Sequence, residues 1–553
     1  MDKDEPDQQP ILQRPPEAKW EVPVSFAAGR ASRSGFVPSL SFPNQTLQMK
    51  SLALLLSALT LTFTAASFAT FAIEPSAASA AFTSKDPVVI KALHLIKVGK
   101  FQKAEALLST ADGQADAEGV RSRREALDII RRIRVEYSLD AEGLLAKVRK
   151  SIPDATAKEV ERWAKDSRAR YRIIDGQKLF FRREPSNIFL FCDEARSRRA
   201  QVGNTPPKPT WKLTDHLKAI VEEAEKTGKT EVQPVRHRIT YTLTIRSNSP
   251  HLKAGSLVRV WLPYPQEYRQ QRDLKMISIS PEPKLIAPNA VDGSPVGGGP
   301  QRTVYFEQQI TDPSRPLEFK EVFDYTSFAY YPRLDETKVQ PLPPNWNGAY
   351  LVERPPHIVF TTAIRKEVAK IVGNETNALA KARKIFRWVS ANVKWNAEDE
   401  YCIIPSLVAK GFTAGRGDCG VQATVFITMC RIAGIPARWQ SGWETKPGAD
   451  WGMHDWSEIY LAPWGWLPAD PSYGVEQSDD ARIADFYCGH QDSYRMIVNL
   501  DWGRELVPPK QSLRSEPADF QRGEVEVDGR NLYFDEWEYT IKAEREPGPN
   551  SDY

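Results

Sequence analysis

Gly415-Arg416-Gly417-Asp418-Cys419-Gly420 places one cysteine between a glycine-rich turn and an apolar run. Residues 421–432 carry apolar side chains at three- and four-residue spacing, which predicts a helix with one apolar stripe. Cys419 is therefore expected at a helix start, where unpaired backbone amides and the helix dipole stabilise an anion. Because the thiolate is the reactive form of cysteine, this position predicts a lowered thiol pKa and a nucleophilic side chain.

His454 and Asp470, both downstream of Cys419, complete the set of groups that covalent acyl transfer requires. His454 lies in a predicted strand whose successive side chains alternate between the two faces. Asp470 ends a second short strand just before a proline. A hairpin through Ala462-Pro463 would bring the two strands side by side, with the carboxylate at the far ring nitrogen. The three side chains then form a Cys-His-Asp triad, in which the imidazole takes the thiol proton and the carboxylate orients the ring.

Each residue also has an ordinary structural explanation. A cysteine at a helix start is commonly a small buried hydrophobe. A histidine in an aromatic strand is commonly packed and hydrogen-bonded, and an aspartate before proline commonly forms a turn. The joint order, spacing and flanks of Cys419, His454 and Asp470 favour the catalytic interpretation.

The segment from Asn377 to Tyr473 carries further motifs in a set order. These are Lys381-Ala382-Arg383, Trp388-Val389, Asn392-Val393-Lys394-Trp395, Gly417-Asp418-Cys419, Arg431-Ile432-Ala433-Gly434-Ile435-Pro436-Ala437-Arg438, His454 with Trp456 and Glu458, Gly465-Trp466, and Asp470. Together they resemble the transglutaminase-like core, a relative of the papain fold. The resemblance implies that Cys419 is the nucleophile, His454 the general base and then acid, and Asp470 the orienting carboxylate. The chain has Gly420 where many members of that family carry an acidic or aromatic residue.

An acyl-transfer site also needs hydrogen-bond donors for the oxyanion of the tetrahedral intermediate. The backbone amide of Cys419 is a natural first donor. The second donor is either the indole of Trp395 or the hydroxyl of Tyr401, both upstream of the nucleophile. Simple packing is the alternative role for each of these two side chains.

Composition restricts the classes of function. The chain has 553 residues, enough for three or four domains, and a formal net charge of +3. Neither this charge nor any run of basic and aromatic residues indicates a nucleic-acid surface. The sequence contains no zinc or calcium motif, so we expect neither a metal nor a cofactor.

Of the five cysteines, Cys430 is predicted to be core, and Cys402 and Cys488 are able to pair.

Residues 52–73 carry no charge and follow Lys50. If translation starts at Met49, residues 49–80 resemble a signal peptide with a small-residue cleavage site, and the protein is periplasmic or extracellular. If it starts at Met1, the same segment is long enough to anchor the protein in a membrane. Residues 1–48 are a disordered extension if translation starts at Met1, and they are not translated if it starts at Met49.

The remaining pattern predicts an α+β protein with several modules: a papain-like transglutaminase core preceded by a β-sandwich and an N-terminal helical and winged-helix-like region. The expected boundaries are a tetratricopeptide-like helical hairpin region over 85–137, a winged-helix-like module over 138–203, a linker and helix over 204–234, a β-sandwich over 235–335, the catalytic core over 350–505, and C-terminal strands with a tail over 506–553. We expect the C-terminal strands to extend the catalytic sheet.

The leading hypothesis is an exported thiol enzyme that acts on amide bonds of a protein or peptide and passes the acyl group to water or to an amine. Trp439, Trp443, Trp451 and Trp456 are candidates for apolar walls around the acyl group, although core packing explains them equally well. The alternative is a catalytically inactive binding or assembly protein with the same fold, in which the N-terminal helical region contacts a protein partner. DNA binding by the winged-helix-like module is a third interpretation, and export argues against it.

Overall fold

The computed structural model describes residues 80–110, 116–203, 211–247, 249–289, 301–346, 348, 350–447 and 452–547. The predicted extension over residues 1–48, the apolar segment 52–73 and the Pro-rich part of the linker at 204–210 lie outside these ranges. Among the described helices, none combines the length and the apolar character that crossing a membrane requires.

The first described elements are four helices. They are α1 (Ala80–Thr83), α2 (Pro87–Lys97), α3 (Phe101–Thr110) and α4 (Ala117–Glu136). Asp86 and Asp116 begin α2 and α4, because their carboxylates accept hydrogen bonds from backbone amides of the first turn. Apolar side chains of all four helices meet in one buried cluster around Phe101 and Ile130. This cluster also reaches the core domain, since it includes Ile403.

A second helical module follows. Its elements are α5 (Ala141–Arg149), α6 (Ala157–Asp166), β1 (Tyr171–Ile174), β2 (Gln177–Phe180), α7 (Glu184–Phe191) and α8 (Asp193–Gln201). The strands β1 and β2 form an antiparallel hairpin whose turn residues, Asp175 and Gly176, both have positive φ angles. The helices pack around the fully buried Trp163.

After helix α9 (Leu213–Thr227) the chain is mostly extended up to residue 330. The strands are β3 (Glu231–Ile245), β4 (Leu257–Pro263), β5 (Gln271–Ser280), β6 (Leu285–Ile286), β7 (Thr303–Gln309) and β8 (Leu317–Tyr330). They divide between two antiparallel sheets, which share one apolar core. Phe306 of one sheet meets Phe319 of the other, with ring centroids 5.3 Å apart.

The next region combines helices with a four-stranded sheet. Its elements are α10 (Thr362–Val372), α11 (Ala378–Asn392), α12 (Leu407–Ala414), α13 (Cys419–Ile432), β9 (Ala437–Glu444), β10 (Gly452–Leu461), β11 (Gly465–Ala469), α14 (Ala481–Ala484) and β12 (Arg495–Asn499). The strand order is β11-β10-β9-β12, and each neighbouring pair is antiparallel. The predicted hairpin through Ala462-Pro463 is confirmed, since β10 pairs with β11.

The C-terminal strands do not extend this sheet, so that expectation was wrong. The strands β13 (Glu524–Val527), β14 (Arg530–Leu532) and β15 (Trp537–Pro547) join the two sheets formed by residues 231–330. β13 pairs with β4, and β15 pairs with β3. Alternation predicts which side chains of a strand share a face, but the partner strand depends on contacts between distant segments.

All five cysteines carry free thiols, so the pairing of Cys402 with Cys488 does not form. Cys402 packs in the apolar cluster of the N-terminal helices, whereas Cys488 packs in the cluster around α13. The two thiols are thus held in separate cores. Cys430 is fully buried, as its place in the apolar pattern predicted.

One buried carboxyl group allows a stability prediction. Glu321 on β8 is fully buried, and neither of its carboxyl oxygens has a hydrogen-bond partner among the described residues. Burial raises the pKa of this carboxyl well above its ordinary value. The folded state therefore retains a proton that the unfolded state loses above about pH 4.3, so this group lowers stability as pH rises above that value.

We expect Glu321→Met to increase the free energy of unfolding at pH 8 by about 1–3 kcal/mol, because an apolar side chain removes the buried polar group. Denaturant unfolding at pH 5 and pH 8 measures the effect, and the gain should be larger at pH 8. The control is Glu318→Met, at an exposed position of the same strand, which should change stability by less than about 0.5 kcal/mol. A Glu321→Met protein less stable than the wild type at pH 8 would contradict the prediction.

Candidate active site

Cys419 is the first residue of α13, as the sequence predicts. Helix α12 ends at Ala414, the next residue Gly415 has a φ angle of 62° in the left-handed region, and the chain turns over the three residues that follow. Asp418 then begins α13 by accepting a hydrogen bond from the Val421 amide at 3.1 Å. The turn and the cap together place the Cys419 side chain at the helix N-terminus.

The surroundings of α13 differ from the predicted single stripe. Every residue from Gly420 to Arg431 is buried, so the helix is enclosed on all sides. It packs against β9 and β10 on one side and against helices including α11 and α12 on the other. Cys419 itself is only partly buried. The cysteine therefore lies at the open end of an otherwise enclosed helix.

The thiol contacts an aspartate that the sequence pattern does not indicate. Cys419 Sγ donates a hydrogen bond to Asp455 Oδ2 at 3.6 Å. The same oxygen accepts a hydrogen bond from the Tyr401 hydroxyl at 2.9 Å, and Asp455 Oδ1 accepts one from Gln521 Nε2 at 2.8 Å. Asp455 is almost fully buried. It therefore links the thiol to two segments that are distant in the sequence.

The electrostatics of this contact contradict the predicted lowering of the thiol pKa. Burial, and then the carboxyl groups of Asp455 and Asp418, raise the pKa of the Cys419 thiol well above its ordinary value. The hydrogen bond from the Asp455 backbone amide acts in the opposite direction but does not reverse the shift. In this arrangement the thiol is protonated at neutral pH, so a thiolate must form through a proton acceptor.

The predicted contact between His454 and Asp470 is present. His454 Nε2 lies 2.7 Å from Asp470 Oδ2, and both side chains are buried. Asp470 Oδ1 accepts a hydrogen bond from the Ser472 hydroxyl at 2.8 Å, and Arg495 Nη1 lies 2.9 Å from Oδ2. Burial alone would raise the pKa of Asp470, but the neighbouring His454 and Arg495 side chains hold that pKa below its ordinary value. Asp470 is therefore an ionised carboxylate.

The imidazole ring is also held by aromatic contacts. Its centroid lies 5.7 Å from the Trp456 ring and 5.5 Å from the Tyr473 ring. Because Nε2 pairs with Asp470, Nδ1 is the ring nitrogen that remains for proton transfer. Within the described residues no hydrogen bond joins His454 to Cys419, whose thiol pairs instead with Asp455, the residue that follows His454.

The two predicted oxyanion donors lie in different surroundings. The hydroxyl of Tyr401 bonds Asp455 Oδ2, the oxygen that also accepts from the thiol. Trp395 instead packs against the apolar cluster of the N-terminal helices. The structure therefore associates Tyr401 with the thiol and Trp395 with the packing between modules.

Gly420 has a steric explanation. A Cβ atom at this position would lie 2.1 Å from the Tyr401 hydroxyl oxygen and 2.6 Å from the Trp439 ring. Any larger residue would displace one of these two rings. Glycine at position 420, where many members of the family carry an acidic or aromatic residue, therefore leaves room for the Tyr401 hydroxyl close to the start of α13.

The N-terminal modules hold the loop that carries Tyr401. Arg170 donates to the carbonyl oxygen of Ala397 at 2.6 Å, and the Tyr137 hydroxyl donates to Asp399 at 2.9 Å. Both acceptors lie within four residues of Tyr401 in the chain. The N-terminal helices therefore position a side chain of the candidate site, although that side chain belongs to the core domain.

Of the four tryptophans predicted as possible walls for the acyl group, Trp439, Trp443 and Trp456 are fully buried, and Trp451 lies outside the described residues. Trp443 belongs to the core of the two sheets that residues 231–330 form with the C-terminal strands. Packing is thus the role that the structure gives to these three. Within the described part of the chain, no group of three or more His, Cys, Asp and Glu side chains is arranged to hold a metal ion.

A helix that begins at a cysteine and packs on an antiparallel sheet bearing a paired histidine and aspartate is the arrangement of the papain-like α+β class. Residues 365–471 match the family model of the transglutaminase-like superfamily, and this stretch contains Cys419, His454 and Asp470. These residues therefore form a transglutaminase-like core domain, as the sequence motifs predicted.

Individual proteins similar to this chain share less than a third of the aligned residues with it. An uncharacterized protein of Haemophilus influenzae is 29% identical over 186 residues, which cover 28% of this chain and 50% of that protein. The chain thus spans about half the length of this relative. A candidate cysteine protease from Cytophaga hutchinsonii is 15% identical, with a TM-score of 0.39, over 58% of this chain and 93% of that chain. The periplasmic domain of TgpA from Pseudomonas aeruginosa is 14% identical, with a TM-score of 0.22, over 49% of this chain and 94% of that chain.

Proposed function

We propose that the protein is an exported cysteine-dependent acyl-transfer enzyme that acts on amide bonds of proteins or peptides. Cys419 is the nucleophile, His454 the general base and then acid, and Asp470 the orienting carboxylate. The observation that carries the proposal is the buried hydrogen bond between His454 and the ionised Asp470, in the same family-matched domain as a cysteine at a helix start. Such a pair is the proton-handling half of a thiol triad.

The reaction begins with transfer of the thiol proton to His454 Nδ1. The sulfur leaves Asp455 Oδ2 by rotation about the cysteine side-chain bond, and the thiolate attacks the substrate carbonyl carbon. A carbon–sulfur bond forms, and the π electrons of the carbonyl move to its oxygen. When the carbonyl re-forms, the carbon–nitrogen bond breaks and the amine leaves with the proton from His454.

The resulting thioester is resolved by water or by a second amine. His454 takes a proton from the acceptor as it attacks, and it returns that proton to the sulfur as the carbon–sulfur bond breaks. We favour water, since no sequence motif indicates a dedicated channel for a lysine acceptor. The enzyme is then a peptidase or amidase, and transfer to an amine would make it a transglutaminase.

Export is part of the same proposal. The uncharged segment 52–73 after Lys50 serves as a signal peptide when Met49 is the start, and as a membrane anchor when it is not cleaved. A protein or peptide outside the cytoplasm is accordingly the substrate that we infer.

The second candidate is an inactive binding or assembly protein with the same fold. The observation that favours it is the thiol itself, which is protonated and bonded to a carboxyl group rather than to the imidazole. Reactivity of Cys419 toward a carbonyl compound separates the two candidates.

The test uses p-nitrophenyl acetate, an activated ester that acylates reactive thiols whatever the natural substrate is. We expect a burst of one p-nitrophenolate per protein molecule, followed by slower turnover, because the thioester forms faster than it is hydrolysed. Mass spectrometry of peptides from the acid-quenched protein should place the acetyl group on Cys419. An acetyl group found only on another residue, or no burst at all, would contradict the acyl-transfer proposal and favour the inactive protein.

A further inference from the structure

The Asp455 carboxyl is held in the candidate site by hydrogen bonds from three side chains, one of which is the thiol. Tyr401 donates to its Oδ2 at 2.9 Å. Gln521 Nε2 donates both to its Oδ1 and to the backbone carbonyl of His454, each at 2.8 Å. One amide group thus sets the carboxyl orientation and the path of the backbone next to the imidazole. The remaining direction of Oδ2 points to Cys419 Sγ, 3.6 Å away.

The charges around Asp455 favour its neutral form. Burial, and then the carboxyl of Asp418, raise its pKa well above the ordinary value, and the hydrogen bonds from Tyr401 and Cys419 act in the opposite direction without reversing the shift. The titratable groups that face it from other segments are Asp418 and Cys419 at the start of α13, Tyr401 in the preceding loop, and Glu516 and Asp519 in the C-terminal segment. The nearby cation Arg522 is already paired with Glu400 and Glu516 at 2.6 Å.

We propose that Asp455, as a neutral carboxylic acid, donates the second hydrogen bond to the oxyanion that forms when Cys419 attacks its substrate. This inference rests on the proposed acyl-transfer function and deepens it, because it assigns a catalytic role to a residue outside the predicted triad. A neutral acid beside a nucleophile supplies a donor, whereas an ionised one would repel both the thiolate and the oxyanion.

The proton movements are consistent with this role. In the resting state Oδ2 carries the Asp455 proton and accepts hydrogen bonds from the thiol and from Tyr401. Once the thiol proton has passed to His454 and sulfur is bonded to the substrate carbon, the thiol no longer donates to Oδ2. The Asp455 proton then lies between Oδ2 and the substrate oxyanion, while the Tyr401 hydroxyl still donates to Oδ2. Asp455 keeps its proton when the carbonyl re-forms, so it gains and loses none over the cycle.

The test compares two reactions of the same thiol. Acylation by p-nitrophenyl acetate passes through an oxyanion, whereas alkylation by iodoacetamide displaces iodide at a saturated carbon and does not. For Asp455→Ala we expect the acylation rate to fall by about 10²- to 10³-fold, the typical loss for one oxyanion donor. The alkylation rate should not fall, because loss of the Asp455 carboxyl also removes one of the groups that raise the thiol pKa.

Asp455→Asn supplies the matched comparison, because an amide retains a donor and cannot ionise. Its acylation rate should stay within about tenfold of the wild type. The wild-type rate should decline at alkaline pH as Asp455 loses its proton, and this decline should be absent in Asp455→Asn. A merely structural role for Asp455 would not remove the alkaline decline. Thermal unfolding of each variant verifies the fold, and the pH profile of Asp455→Asn carries the test if Asp455→Ala does not fold.

Three outcomes would overturn the proposal. If Asp455→Ala is both alkylated and acylated faster than the wild type, Asp455 only restrains the resting thiol. If Asp455→Asn loses as much acylation as Asp455→Ala, the ionised carboxylate is the required form. If neither reagent modifies Cys419 in the wild type, the acyl-transfer function fails and this inference fails with it, so the two failures are distinguishable.

Discussion

Replacing Cys419 with alanine is expected to abolish the acylation burst with p-nitrophenyl acetate, lowering its rate by at least about 10³-fold. The other four cysteines are buried, and removal of a triad nucleophile eliminates most of the catalytic advantage of the site. Stopped-flow absorbance of released p-nitrophenolate measures the effect. The same variant should also lose the fast phase of iodoacetamide labelling.

Cys430→Ala is the matched control, because this thiol lies on the same helix as Cys419 and is fully buried. Its burst should remain within about threefold of the wild type, although some stability is lost through the small cavity. A burst that persists in Cys419→Ala and disappears in Cys430→Ala would show that the reactive thiol has been assigned wrongly.

Asp470→Asn is expected to lower the acylation rate by about 10³- to 10⁴-fold while leaving the fold intact. The carboxylate accepts a hydrogen bond from His454 Nε2 at 2.7 Å and so keeps the ring proton on that nitrogen. An asparagine amide can instead donate to Nε2, which moves the ring proton to Nδ1. His454 is then unable to accept the thiol proton at Nδ1, and the imidazolium loses its counter-charge.

The control for Asp470 is Asp492→Asn. Asp492 is the other carboxylate partner of Arg495, with Oδ2 at 3.1 Å from Arg495 Nε, and it makes no hydrogen bond to His454 in the described structure. This variant removes the same charge from the same arginine, so we expect a loss of less than about tenfold. Equal losses in the two variants would mean that the charge of Arg495, and not the histidine tautomer, governs the rate.

Local chemistry made much of the site predictable. Gly415 marks the end of one helix and Asp418 the start of the next, so short-range sequence signals suffice to place Cys419 at a helix N-terminus. The alternation around His454 and the turn before Gly465 predicted the hairpin that brings Asp470 to the imidazole. These features depend on neighbours within a few residues, and such neighbours are visible in the sequence.

The parts that were missed or wrongly predicted depend on distant contacts. Asp455 follows His454 directly, and strand alternation predicts that adjacent side chains point to opposite faces, so nothing in the pattern connected Asp455 to the nucleophile. Gln521 and Arg495 reach the site from segments far along the chain. The C-terminal strands were assigned to the wrong sheet for the same reason.

The order of residues along the chain establishes which groups are available for chemistry: one thiol at a helix start, one imidazole and one carboxylate in adjacent strands, in the order of a transglutaminase-like core. The protonation of that thiol and the identity of its resting partner are set by the folded arrangement instead. Those properties follow from burial and from carboxyl groups contributed by separate segments, and the electrostatic energy of a buried group depends on distances in space rather than on separation along the chain.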